Sequence, residues 1–252
     1  MKRPTIILVR PREEGNIGSV ARAMANMGLD ELVLVEPAPA LGGVAKGFGV
    51  GGWEILDRCR RVLSLEEALG SFQRVVGTTS ARDRPLRHTE VISSRSLPGF
   101  LRGDGSDVAT ALVFGPEDNG LTRAELELCE PVVAVPCDPR HPTLNLAQSV
   151  LLLAYELRMD RLEDPDEERA PPTEGSPASR RELEALLGRT EEVLLGLGYD
   201  QEPRRQTFLR ELRRMALRGR ASGRDVRLLL RLANRIQTVL GRLRRNAGGS
   251  GE

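Results

Sequence analysis

The sequence predicts an α/β protein: a parallel sheet covered by helices on both faces, followed by a small all-helical domain. Three observations lead there. Up to Met159, uniformly aliphatic runs alternate with amphipathic segments, the pattern of strands buried on both faces and linked by helices. Residues 160–178 then turn acidic and rich in proline, glycine and serine, as solvated connectors do. From Ser179 a helical stripe of leucine and valine resumes among many arginines.

Thr5–Val9 (TIILV), Leu32–Val35 (LVLV), Arg74–Gly77 (RVVG), Ala109–Phe114 (ATALVF) and Val132–Val135 (VVAV) are the expected strands. None alternates polar with apolar, so each is expected inside the sheet. The intervening helices are expected at Ile17–Met27, Leu65–Leu69, Thr122–Leu128 and Asn145–Met159. Ser179 and Glu182 have the spacing of a capping box and open a first extension helix. Thr207–Arg218 and Asp225–Leu243 supply two more. The domains are therefore residues 1–159, a connector at 160–178, a basic extension at 179–246 and a disordered tail at 247–252.

Composition narrows the chemistry. The 252 residues carry a net charge of +1, but that neutrality is an average. Between Arg180 and Arg245 there are 17 arginines and 8 acidic residues, a balance suited to a phosphate backbone. Solvated helix faces are often equally basic. Aromatic residues are only 3% of the chain, which argues against recognition by many stacked bases. Cys59, Cys129 and Cys137 are too far apart for a metal cluster or a disulfide framework, and His88 and His141 are the only imidazoles. No metal is expected. No apolar run reaches the ~20 residues that span a bilayer, and the N-terminus lacks a signal-peptide pattern, so the cytoplasm is the expected compartment.

Ligands of open α/β sheets bind beyond the carboxyl ends of the strands, so the loops there hold the candidates. After the first strand comes PREEGNIGSVARAM. Gly15 and Gly18 permit close backbone approach, Asn16 can cap the following helix, and Arg22 lies one turn on. A capped helix with a surface arginine explains these residues as well. LVFGPEDNGLT holds Glu117 between Gly115 and Gly120, the latter at a turn with positive φ, and Thr122 with Glu125 forms another capping box. VPCDPRHPTLNLAQSV is stiffened by three prolines and offers Thr143 and Asn145 at a helix entrance. GTTSARDR, after a strand, is rich in hydroxyls and arginine.

In this order, NIGSVARAM, LVFGPEDNGL and VPCDPRHPTLNLAQSV resemble the three motifs of the SpoU branch of the SPOUT methyltransferases. VGTTSARDR and the extension narrow the likeness to TrmJ-type tRNA 2′-O-methyltransferases. The resemblance implies a parallel sheet ending in a C-terminal trefoil knot, S-adenosylmethionine as cofactor, tRNA as substrate and a homodimer formed through the knot. It implies catalytic roles for Arg22, Asn16, Glu117, Thr143 and Asn145. The cofactor cradle would be Thr79, Ser80, Ala81, Gly115, Val135, Pro142, Thr143 and Leu144. Thr143 departs from the family's usual serine but keeps the hydroxyl. The implied target is a pyrimidine ribose at position 32 of the anticodon loop; a SpoU-type enzyme for ribosomal RNA or another tRNA position, or a non-catalytic RNA-binding protein, is the alternative.

Overall fold

The computed structural model describes residues 2–38, 41–80, 90–103, 108–163, 177–219 and 221–248. The chain divides into two compact units, Met1–Thr173 and Glu174–Glu252.

In the first unit the order is β1 (Thr5–Val9), α1 (Glu14–Met27), β2 (Leu32–Val35), α2 (Gly43–Phe48), α3 (Trp53–Arg58), β3 (Arg60–Val62), α4 (Leu65–Leu69) and β4 (Arg74–Thr79). There follow β5 (Val91–Ser93), α5 (Leu97–Arg102), β6 (Thr110–Phe114), α6 (Arg123–Leu126), β7 (Val132–Ala134) and α7 (Leu146–Glu163). The strands form one sheet in the order β3-β2-β1-β6-β4-β7-β5, with every pair parallel.

The uniform aliphatic runs are explained by burial on both faces. Ile6 and Leu8 of β1, with Leu34, Leu112 and Phe114, join the core under α1 and α7. Ile7 and Val9, with Val33, Ala111 and Val113, face the opposite core against α4 and α6. Successive side chains of a strand point to opposite faces, so each run feeds two cores. All five expected strands are present, with ends shifted by at most two residues.

Two edge strands and three short helices were not anticipated. β3 and β5 each pair with a single neighbour, and both arginines of β3 are exposed. Edge strands need no aliphatic run. Asn16 is not the cap of α1, because the helix already begins at Glu14 and its N-cap is Glu13. The Thr122–Glu125 capping box forms as expected, and Gly120 has φ +65.

β1 pairs with β6 with Leu8 opposite Phe114, so the loops that leave these two strands lie side by side. β4 lies between β6 and β7, which brings the ends of three strands to one place. That is where the sequence motifs converge.

The second unit contains α8 (Arg180–Gly196), α9 (Glu202–Arg218) and α10 (Gly223–Gly248). The Ser179–Glu182 capping box opens α8. Glu182 also takes an ion pair from Arg227 of α10 at 2.7 Å. Leu183, Leu186, Leu187, Val193, Val226 and Ala233 are buried here. Among the described residues no helix is long and apolar enough to cross a membrane.

Candidate active site

Two loops are fastened together at the carboxyl end of the sheet. Glu117, in the loop after β6, accepts hydrogen bonds from the backbone N–H of Arg12 at 3.1 Å and of Glu13 at 3.3 Å, and from Asn16 Nδ2 at 2.9 Å. A carboxylate therefore sits at the N-terminus of α1, where the helix dipole favours negative charge. The anion at this mouth is supplied by the chain itself. Asn16 Oδ1 in turn accepts from Asn145 Nδ2 at 3.0 Å. Asn145 Oδ1 takes the backbone N–H of Ala147 at 2.8 Å, so this side chain caps α7 while it reaches α1. Glu117, Asn16 and Asn145 thus form one continuous chain of hydrogen bonds.

Arginines flank this junction. Arg12 pairs with Asp118 at 2.8 Å, and Arg10 pairs with Glu125 at 2.5 Å. Burial pushes the Glu125 carboxyl up, but hydrogen bonds from Arg10 and Thr122 outweigh it and hold the group below its ordinary range. Arg10 also lies 3.9 Å from Glu36, and these two residues have φ 47 and 44, backbone angles uncommon for residues other than glycine. Sequence reasoning missed Arg10 and Arg12, since Glu125 and Asp118 lie more than a hundred positions away.

Beside the junction lies a cavity of about 400 Å³, inside the usual range for small-molecule sites, ~300–1,000 Å³. Thr79 and Ser80 line it from the end of β4, Gly115 from the end of β6, and Val135, Pro142, Thr143 and Leu144 from the loop after β7. Of the eight residues expected to cradle a cofactor, only Ala81 lies outside the described residues. Thr78, Asn119, Cys137 and Ser149 also line the cavity and were missed, although all four stand within the quoted motifs. Its only charged lining residues among those described are Glu117, held by its three donors, and Asp118, paired with Arg12.

The glycines divide by purpose. A Cβ on Gly115 would lie 2.2 Å from the backbone at Gly120 and Leu121, so the loop over the cavity closes only with glycine there. A Cβ on Gly18 would lie 2.2 Å from the carbonyl oxygen of Ala45. Gly18 therefore serves the packing of α2 on α1.

Arg22 projects from α1 into solvent and is absent from the cavity lining. Its guanidinium does not turn back toward the mouth of its own chain's loop.

Residues 3–155 match the family described as SpoU rRNA Methylase. This chain belongs to that family. Along nearly its whole length it is also similar to individual SpoU relatives. It is 35% identical over 225 residues to the tRNA (cytidine/uridine-2′-O-)-methyltransferase TrmJ of Salmonella typhimurium, covering 89% of this chain and 92% of the relative. It is 36% identical over 252 residues to the tRNA (cytidine/uridine/adenosine-2′-O-)-methyltransferase TrmJ of Pseudomonas aeruginosa, covering 95% of each. The crystal structure of TrmJ from Z. mobilis superposes with a TM-score of 0.79 at 31% identity, covering 94% of this chain and all of that one. The likeness therefore takes in the helical unit as well as the SpoU domain.

In that helical unit, part of the basic surface is already neutralised. Arg205 pairs with Glu191 at 3.0 Å and Arg213 with Glu184 at 2.7 Å, joining α9 to α8. Arg227 is held by Glu182. These three were expected among the phosphate-binding arginines and instead hold helices together. Arg204, Arg231 and Arg235 are exposed and form no ion pair among the described residues.

Proposed function

We propose that this protein transfers a methyl group from S-adenosylmethionine to the ribose 2′-hydroxyl of a tRNA pyrimidine at position 32 of the anticodon loop, acting as a homodimer in the cytoplasm. The observation that carries the reading is the cavity. Three loops distant in sequence meet there and bring seven of the eight expected cradle residues to one surface. Family membership and the TrmJ relatives favour the same chemistry.

Thr79, Ser80, Gly115, Val135, Pro142 and Leu144 would hold the cofactor, in a cradle whose volume suits a small-molecule ligand. S-adenosylmethionine supplies a methyl group on an electrophilic sulfur, so no metal is needed. The methyl passes to the ribose oxygen, the hydroxyl proton leaves to solvent, and the neutral thioether departs. The chain's own task is to orient the ribose and stabilise charge on its oxygen. Thr143 presents a hydroxyl at the cavity rim. Asn145 and Asn16, locked by Glu117, fix the entrances of α7 and α1 on either side.

A guanidinium offers five donors and no acceptor, so the role of Arg22 is that of a cation beside the developing alkoxide and the adjacent phosphate. It lies outside the cavity of its own chain, and the reading therefore has Arg22 of the partner subunit complete each site. An apolar face is available for that pairing: α7 buries Val150, Leu153 and Leu157 but exposes Leu151, Leu152 and Tyr155. The knot belongs to the same proposal, with the segment from Val135 into α7 as the threaded part.

The test is nucleotide-resolution mapping of 2′-O-methylation in tRNA and ribosomal RNA incubated with the protein and S-adenosylmethionine. Methylation at tRNA position 32 is expected. It should fall by about 100- to 1000-fold with Arg22→Ala, while calorimetry shows cofactor affinity retained. Methylation confined to ribosomal RNA, or wild-type rates from Arg22→Ala, would overturn the reading.

A further inference from the structure

A chain with so few aromatic residues leaves two of them half in water beside Arg22. The segment from α2 to α3 exposes Val44, Phe48, Val50 and Trp53, each more than half accessible. Trp53 is the only tryptophan in the sequence. Scattered exposed hydrophobics need no explanation, but a group of four within ten positions does.

These side chains are held in place. The Phe48 ring lies against Gly15, where an added Cβ would meet it at 3.4 Å. Trp53 Nε1 donates to the backbone oxygen of Lys46 at 2.9 Å, which satisfies the one polar edge of the indole. Gly52, the residue before Trp53, packs so closely on α1 that a Cβ would come within 2.8 Å of the Arg22 nitrogen. That nitrogen belongs to the backbone, so the ledge packs along the edge of α1 from which Arg22 springs.

Charge decides the occupant. The acidic residues of α3 are already matched, Glu54 with Arg58 at 3.4 Å and Asp57 with Lys46 at 3.8 Å. Glu14 is turned inward, accepting from the backbone of Gly42 and Ala45. Arg22 has no hydrogen bond or ion pair among the described residues. An unneutralised cation beside two fixed aromatic side chains is complementary to a nucleotide, which brings a phosphate and a base face together.

We propose that Phe48 and Trp53 form a stacking ledge for a base of the RNA substrate, next to the ribose that Arg22 addresses. This rests on the functional reading above and adds to it a substrate-binding surface.

The single tryptophan is its own reporter. Titrating the full-length chain with unmodified tRNA should quench Trp53 emission, saturating at the tRNA concentration that saturates binding in a filter assay. Trp53→Ala should raise the KM for tRNA about 5- to 150-fold, leave S-adenosylmethionine affinity unchanged, and be largely rescued by Trp53→Phe. Emission that stays constant while tRNA binds would overturn the proposal. So would emission that follows protein concentration and ignores tRNA, since the ledge would then be a contact between subunits. The two readings fail separately. Quenching without methyl transfer removes the enzyme reading and leaves the ledge, whereas transfer with silent Trp53 removes the ledge alone.

Discussion

Replacing Glu117 by glutamine tests how the site is assembled. The carboxylate accepts three hydrogen bonds, from Arg12 N, Glu13 N and Asn16 Nδ2, at 2.9 to 3.3 Å. Glutamine keeps the shape but has one carbonyl oxygen, and its NH2 must face donors it cannot serve. Bonds to a charged acceptor contribute about 1.5–3 kcal/mol each when buried. Here the site is partly open to water, so the combined loss is about 1–3 kcal/mol, including the small dipole contribution at the start of α1. At about 2–4 °C per kcal/mol for a domain of this size, Tm should fall by about 2–12 °C. The catalytic effect should be larger than the stability effect. Asn16 loses its anchor and Asn145 loses its partner, and a displacement of about 1 Å in such groups reduces rate about 100-fold. Differential scanning fluorimetry and initial methylation rates at saturating cofactor measure both. If Glu117→Gln shows the wild-type Tm and the wild-type kcat, the hydrogen-bonded chain does not organise the site.

Other perturbations reach different parts of the molecule. Gly115→Ala places a methyl 2.2 Å from the backbone at Gly120 and Leu121. It should lower the urea midpoint by the equivalent of about 1–3 kcal/mol and abolish cofactor binding in the same sample; an unchanged midpoint would mean the loop has room. Glu125 has a depressed folded pKa set against an unfolded value near ~4.3. Its contribution is therefore complete above that pH and is lost as pH falls through the lower folded value. Thermal melts should be flat from neutrality to about pH 5 and decline below about pH 4, less steeply in Arg10→Met than in the wild type. Changing Arg204, Arg231 and Arg235 together to glutamine should weaken tRNA binding and reduce the slope of log K against log salt by about 2–3. A parallel line would show that these arginines touch no phosphate.

The sheet was legible because its central strands are buried twice over, and a doubly buried strand is an uninterrupted aliphatic word such as TIILV. β3 and β5 were not, since an edge strand draws its hydrogen bonds from one neighbour and tolerates exposed arginines. α2 and α3 hid among glycines that look like loop, but those at Gly49 and Gly52 are what lets the pair lie flat on α1. Within the site, the cradle was legible only through motif order, because its walls come from three strand ends. Local rules misplaced Asn16: its side chain does not cap α1 but donates to Glu117, 101 positions away.

Two glutamates in this molecule hold double appointments. Glu125 closes the capping box of α6 and receives Arg10 from the loop after β1, and Glu182 closes that of α8 and receives Arg227 from α10. A helix end normally frays without reference to the rest of a protein. Here the same oxygens that quiet the first turn also grip a distant segment, so unravelling either end requires releasing long-range structure. The first amides of α6 and α8 should accordingly exchange with deuterium on the schedule of their whole unit, well behind the free ends elsewhere.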